Sequence, residues 1–381
     1  MKSRNSINIG VRLCAALVVG VGTLLAAPNV RNVDCPRQSL GDAVAKADPG
    51  DTIRVTGTCH ERIVITTDHL TIDGQGTAVI DGGGGSGGEF SAAIIIDGAQ
   101  GIAVRGFTVH NSSNGILGQS NAAFTVQNTR IHDNVRAGIF ALNASSAEIN
   151  DCTITRNGDA GVLIVNNSVA VFKGSITANN NLVGVDATSN SSVEVRGGSL
   201  EASGNVTNGI AIDGSSFRIQ NFDASLGGSI TTNSNGANGI LVAGSQFVIF
   251  GPAANHVITA MNNSGNGISL PGASVLVNAR PDGGGKFVLK GNGIGLNVGT
   301  EATIQMPVGG LDVENNGTGL LADGAGSLLL VSVPQNPIII RGNRSVDVDL
   351  RFGTRMTVDA AILGAVKCDA TVLSRGSTRC P

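Results

Sequence analysis

The sequence predicts an all-β solenoid, in which short strands wind into coils that stack one on the next. Three observations predict it. A repeat runs from Gly138 to Val185: GIFALNASSAEINDCTITRNGDA, then GVLIVNNSVAVFKGSITANNNLV, then GV again. Gly138, Gly161 and Gly184 lie 23 residues apart, and a period this fixed makes each unit one coil of a stack. The same residue types also recur inside each unit. An aliphatic follows each glycine (Ile139, Val162, Val185) and a small or aliphatic residue comes two later (Ala141, Ile164, Ala187). A Ser-led strand then carries Ile149, Val171 and Val195, and a third strand carries Ile154, Ile176 and Leu200. Composition agrees. Glycine supplies 55 of 381 residues, roughly twice average usage, and neither Trp nor Tyr occurs. So much Gly, Asn, Ser, Val and Ile suits short strands and tight turns rather than long helices.

Taken in order, residues 1–27 read as a secretory signal. Lys2, Arg4 and Arg12 give a basic start, and 13–27 is apolar with small residues at its end. The run is about 15 residues, shorter than the roughly 20 that a spanning helix needs. Removing it leaves 22 basic against 28 acidic residues, a net charge of −6 with His neutral. A mildly acidic exported chain is a poor partner for nucleic acid or anionic membrane. The expected location is secreted, periplasmic or extracellular, with no membrane span in the mature chain.

Five cysteines remain. Cys35 and Cys59 bracket the first element, and Cys368 and Cys380 bracket the end. In an oxidising compartment both pairs are expected to form disulfides that staple the two ends of the stack. Cys152 is left over and reads as a buried thiol.

Residues 39–47 read as a short amphipathic helix with Leu40, Ala43, Val44 and Ala47 on one face, ended by Pro49 and Gly50. Short alternating strands follow: PGDTI, a His-Glu turn, IVI, LTIDGQG and VIDG. This order resembles the opening of right-handed parallel β-helix proteins of the pectin-lyase-like superfamily. The resemblance spans about residues 38–360. It implies a single-stranded right-handed parallel β-helix, with three strands per coil, about ten or more coils, and a first helix that caps the open end. A cap is also a physical need, because an uncovered terminal coil leaves unpaired N–H and C=O groups. The expected divisions are a signal at 1–27, cap and first coils at 28–91, the β-helix at 92–360 and a disulfide-closed cap at 361–381.

The coils are expected to begin at Gly101, Gly115, Gly138, Gly161, Gly184, Gly209, Gly239, Gly267, Gly295 and Gly319, with insertions in turns such as 223–228 and 280–285. After the third strand Asn134, Asn157, Asn179, Asn233, Asn262, Asn292 and Asn343 recur. Asn tolerates the left-handed conformation, and its amide can bond to the same amide one coil away, so an asparagine ladder along a turn is expected.

In β-helix enzymes of this superfamily the substrate lies along the outer face of the strand resembling the Gly-Ile strand here. Outward positions fall two and four residues after each glycine. Asp186 and Asp213 then point outward from adjacent coils, about 8 Å apart. That separation suits two carboxylates inverting a glycosidic bond, one a protonated acid and the other a base for water. Asp159 and Arg136 are expected to line the same groove, completing a catalytic set of Asp186, Asp213, Asp159 and Arg136. The bland alternative is that these are solvated surface charges paired with Lys173, Arg196 or Arg218. A second cluster is His110, His132, Asp133 and Arg136, with the two histidines at matching positions one coil apart. No spacing marks a zinc site, and the sequence leaves the cofactor and any metal requirement open.

Departures from the family's enzymes matter. The Asn-Thr-Asp, Asp-Asp, Gly-His-Gly and Arg-x-Lys elements of polygalacturonase-like members are absent. So are the pectin methylesterase pattern and the Asp cluster with a downstream Arg of calcium-dependent lyases. Leu117, Phe140, Leu142, Leu163, Val165 and Leu241 also face outward by this register, where alternation calls for polar residues. Either loop 82–90 covers this strip or another copy of the chain does. Two functions remain: an exported protein that binds or processes a polysaccharide, as hydrolase or lyase, or a non-catalytic surface scaffold that recognises partners along its long face.

Overall fold

The computed structural model describes residues 28–84, 87–220, 228–250, 256–278, 285–307, 309–332, 334, 336–376 and 380. The expected signal at 1–27 lies outside them. The chain forms an all-β right-handed parallel β-helix of about 13 turns, with 2% helix. Every pairing between strands is parallel among the described residues, and register runs coil to coil: Ile139 opposes Val162, Val162 opposes Val185, and Val185 opposes Ile210.

Thirteen described strands that mostly open on a glycine or its equivalent make one sheet, from Ile63–Ile65 to Val366–Cys368. The second and third strands of each coil make up the other, larger sheet. Pairing continues past the last glycine-led coil to Val358 opposite Gly376. The glycine column runs through Gly115, Gly138, Gly161, Gly184, Gly209, Gly239, Gly267, Gly295 and Gly319. Gly101 does not belong to it: it precedes the strand Ile102–His110 of the other sheet, in a positive-φ turn. The 14-residue gap to Gly115 therefore joins two different corners of one coil.

Each coil buries one side of every strand. Val33, Ile53, Ile72, Val104, Val126, Ile149, Ile219 and Val313 are among the residues 0–4% exposed in one continuous core. Phe217 and Phe247 meet at a tilt of 34° with centroids 4.8 Å apart, and Phe287 meets Phe247 edge-on at 6.0 Å. One core assignment shifts by a residue. Phe172, not Val171, opposes Ile149 and Val195, while Val171 lies between Glu148 and Glu194 on the outer face.

The asparagine ladder is buried, and its membership differs from the expectation. Asn134, Asn157, Asn181, Asn205, Asn235, Asn263, Asn292, Asn316 and Asn343 form it. Each Oδ1 from Asn157 onward accepts the backbone N–H of the ladder residue one coil earlier, at 2.9–3.2 Å. Asp347 accepts from Asn343 and closes the row. Asn179, Asn233 and Asn262 stand outside it. The corner separates two roles. The residue just before each ladder position takes the left-handed conformation, as do Asp133, Arg156, Asn180, Ser234, Asn262 and Asn315. The next residue sends its amide inward. A second ladder follows the glycine-led strands, where Ser145, Ser168, Ser191, Ser215 and Ser245 each accept a backbone N–H from the previous coil.

Leu40–Ala45 is the capping helix, seating Leu40 and Val44 on the first coil. Ser39 caps it by accepting from Asp42 N–H, and Glu61 accepts from Leu40 N–H at 2.6 Å and Gly41 N–H at 3.1 Å. Disulfides Cys35–Cys59 and Cys368–Cys380 close the two ends. Cys152 is buried and free, its thiol pushed up to about 11, mainly by burial.

Candidate functional site

The outer face of the glycine-led sheet carries a row of side chains, one pair per coil. On the strand Val183–Ala187, Asp186 lies above Leu163 and below Ala211. Asp213 ends the strand Ile210–Asp213, one coil on and two residues along from the position opposite Asp186. Asp159 enters the strand Ala160–Val165 from the other side. Its backbone is fixed by donating to Arg136 C=O at 3.1 Å and accepting from Leu182 N–H at 2.9 Å.

The three carboxylates interact. Asp186 is pushed up to about 6, first by burial among its neighbours, then by repulsion from Asp159, then from Asp213. No cation among the described residues offsets these effects. Asp186 and Asp159 are half-buried, whereas Asp213 is exposed. Their oxygens do not all lie within 4.8 Å of one another, so the trio as placed does not form a chelate.

The Arg136 guanidinium pairs with another carboxylate. Its Nη2 faces Glu89 Oε1 at 3.5 Å, in the segment between Gly82 and Ala92. That segment is anchored to the same edge by Ser113 Oγ donating to Gly88 C=O and Asn114 Nδ2 donating to Glu89 C=O. Arg136 does not reach Asp133 either. Arg156 takes that place, because the left-handed turn sets it directly above Asp133, while the inward Asn134 carries Arg136 round the corner.

The expected apolar strip is not an open surface. Leu117, Phe140 and Leu142 are 0%, 4% and 6% exposed and pack with Ala92, Ala137, Ile95, Leu163 and Val165. Leu163, Val165 and Leu241 are half-buried. Beyond the carboxylates the face turns polar. Asn297 Nδ2 donates to Ser269 Oγ, and an amide row that sequence reasoning missed lines the entering edge. In it Asn238 donates to Asn208 at 2.9 Å and Asn266 to Asn238 at 2.7 Å. Its signal was the Asn immediately before Gly209, Gly239 and Gly267.

A right-handed β-helix region family matches residues 52–224. No curated protein matches the chain in sequence. An alginate lyase from Paenibacillus sp. strain FPU-7 is similar in structure over 69% of this chain and 97% of its own, at 14% identity and a TM-score of 0.50. The A-module of a mannuronan C-5 epimerase from Azotobacter vinelandii covers 80% of this chain and 93% of its own, at 16% identity and a TM-score of 0.42. A tailspike protein of E. coli bacteriophage HK620, solved with a pentasaccharide, covers 91% of this chain and 72% of its own, at 11% identity and a TM-score of 0.39. At these identities the likeness is one of fold.

Proposed function

The chain is a right-handed parallel β-helix repeat protein with the pectin-lyase-like fold, and from that premise we propose that its glycine-led face binds and hydrolyses a neutral polysaccharide. The observation carrying this reading is Asp186, held up to about 6 beside Asp159 and Asp213. Its offset from Asp213, one rung and two residues, is about 8 Å, which leaves room for a water between the carboxyls of an inverting pair. Asp186 is the general acid that protonates the departing glycosidic oxygen. Asp213, exposed at the end of its strand, is the base that takes a proton from the attacking water. Asp159 keeps the proton on Asp186. The amides of Asn208, Asn238 and Asn266 and the Ser269–Asn297 pair offer sugar hydroxyls donors and acceptors along the continuing face.

Charge selects between hydrolase and lyase. A polyuronate would bring carboxylates to a face already holding three, and Arg136, the nearest candidate to neutralise them, faces Glu89. A neutral glycan pays no such repulsion. The basic and apolar first 27 residues, with two disulfides, support export. The alternative, a non-catalytic scaffold that recognises other partners along its long face, is favoured by the lack of Trp and Tyr to stack on sugar rings. Self-association through the apolar strip would have to use Leu163, Val165 and Leu241, since the rest is covered.

The test is reducing-end release from a panel of neutral and uronic-acid polysaccharides. Turnover of a neutral member, lowered about 10²–10⁴-fold in Asp186→Asn and in Asp213→Asn, is expected. Binding without turnover leaves recognition standing. Unsaturated uronate products would replace hydrolysis with elimination.

A further inference from the structure

We infer that His110 and His132 form a two-imidazole site for a divalent transition-metal cation on the outer end of the third strands. The two residues are directly paired on adjacent coils. Their rings lie parallel, 5.4 Å between centroids and 7° between planes. Both side chains are half-buried, so the ladder holds them in place while their edges still reach solvent.

The surroundings fit ligation better than simple packing. His132 Nδ1 is bonded to Asp133 Oδ2 at 2.5 Å, which leaves Nε2 as the nitrogen available to a metal. Arg156 from the next coil clamps Asp133 through Nε and Nη2, both at 2.8 Å. A carboxylate on the far nitrogen fixes an imidazole's orientation and raises its basicity, the usual support for a metal-bound histidine. On the other flank Asp81 opposes His110 one coil earlier. It accepts from Asn111 Nδ2 at 2.7 Å and Gly83 N–H at 3.0 Å, and faces His60 Nδ1 at 3.3 Å. Arg156 pairs with Asp133 and its Nη2 also lies 3.5 Å from His132 Nδ1, so Asp133 serves to orient the ring and Asp81 supplies the charge that favours a cation.

Metal–nitrogen bonds of about 2.0–2.1 Å require the two Nε2 atoms to come closer than the rung spacing. With His132 held by Asp133, turning the His110 ring about χ2, a broad torsion for histidine, does this without moving the ladder. No three ligand atoms here converge within 4.8 Å among the described residues, so water completes the sphere beside the two imidazoles. Imidazole donors select copper, nickel or zinc over calcium or magnesium, with copper the tightest.

The experiment is calorimetric titration of the full chain with CuCl2 and with CaCl2, alongside electron paramagnetic resonance of the copper form. One equivalent of copper with two-nitrogen ligation is expected, with no comparable calcium binding. Affinity should fall at least tenfold in His110→Gln and in His132→Gln, about tenfold in Asp133→Asn, and not at all in His69→Asn. If His132→Gln unfolds, the Asp133→Asn affinity decides, because Asp133 does not itself ligate. Absence of a one-equivalent copper isotherm in the unaltered chain, or an unchanged isotherm in a folded His132→Gln, overturns the site. Neither result bears on polysaccharide turnover at Asp186.

Discussion

Asn181 accepts two hydrogen bonds from Asn157 through a single oxygen, one from the backbone N–H at 2.9 Å and one from Nδ2 at 3.1 Å. It passes the pattern on, its own N–H donating to Asn205 Oδ1 and its Nδ2 to Ile154 C=O. Removing one member therefore strands donors and acceptors on two coils in a dry interior, where each unmet group costs about 1–3 kcal/mol. Asn181→Ala should lower unfolding free energy by about 3 kcal/mol in denaturant melts. Asn179→Ala should cost about 1 kcal/mol, because Asn179 bonds Ser203 N–H and Glu201 at a half-exposed surface. Equal losses would mean that the buried row does not carry the corner.

Those two asparagines also show what the sequence made legible. The 23-residue period placed the strands and the core faces, because each follows from which residues repeat; the cap came from the amphipathic pattern at 39–47 and the family resemblance, and both disulfides from cysteines bracketing the two ends. It did not separate Asn179 from Asn181, since a turn holding Asn-Asn-Asn offers several residues suited to both jobs and only backbone φ assigns them. Phe172 was displaced by Val171 for the same reason: two adjacent apolar residues satisfy the alternation equally. For the site, register gave the outward placement of Asp186 and Asp213. The departure of Arg136 depended on Glu89, in a loop outside the repeat, and so had no periodic signal.

The glycine column has a steric cause that a single methyl can test. A β-carbon on Gly138 would lie 2.4 Å from Ile154 Cγ2, 2.8 Å from Gly161 O and 2.9 Å from Asn157 Nδ2. Two of those neighbours belong to ladders that cannot give way singly. Gly138→Ala should destabilise by about 1–3 kcal/mol, as overpacking does. Gly244→Ala meets nothing nearby but must hold positive φ, at a cost of about 1 kcal/mol. Chemical denaturation of both variants checks the order.

Cys152 should be silent in the native protein. Its thiol is buried, pushed up to about 11, and donates to Asn150 and Val126 carbonyls. Only the thiolate attacks alkylating agents. Iodoacetamide at neutral pH should label no cysteine in the folded, unreduced chain lacking residues 1–27, and so lacking Cys14, and one after unfolding. Rapid labelling of the folded form would contradict the burial.

Asp186 makes the stability and the proposed activity depend on pH in a predictable direction. It titrates near 6 in the folded chain against 3.8 unfolded, through burial first and then through Asp159 and Asp213. Between those values the native state holds more protons than the unfolded one. The favourable contribution is therefore present below about pH 4 and is lost as pH rises through about 6. Allowing for solvent screening of a half-buried group, the loss is about 1–3 kcal/mol. Other carboxylates work the opposite way: Asp133, held at about 2 by Arg156 first, stabilises above the usual carboxylate range and weakens in acid. The contribution of Asp186 must then be read as a difference. The stability gap between Asp186→Asn and the unaltered chain should widen in favour of the variant from pH 4 to pH 7. Asp159→Asn should move the midpoint of that change downward, because it removes the larger of the two repulsions. Hydrolysis of a neutral glycan should fall on the alkaline side of about pH 6, where Asp186 has lost the proton it donates. A gap that stays flat across this range would show that Asp186 ionises as an ordinary surface carboxylate, and the acid role proposed for it would go with it.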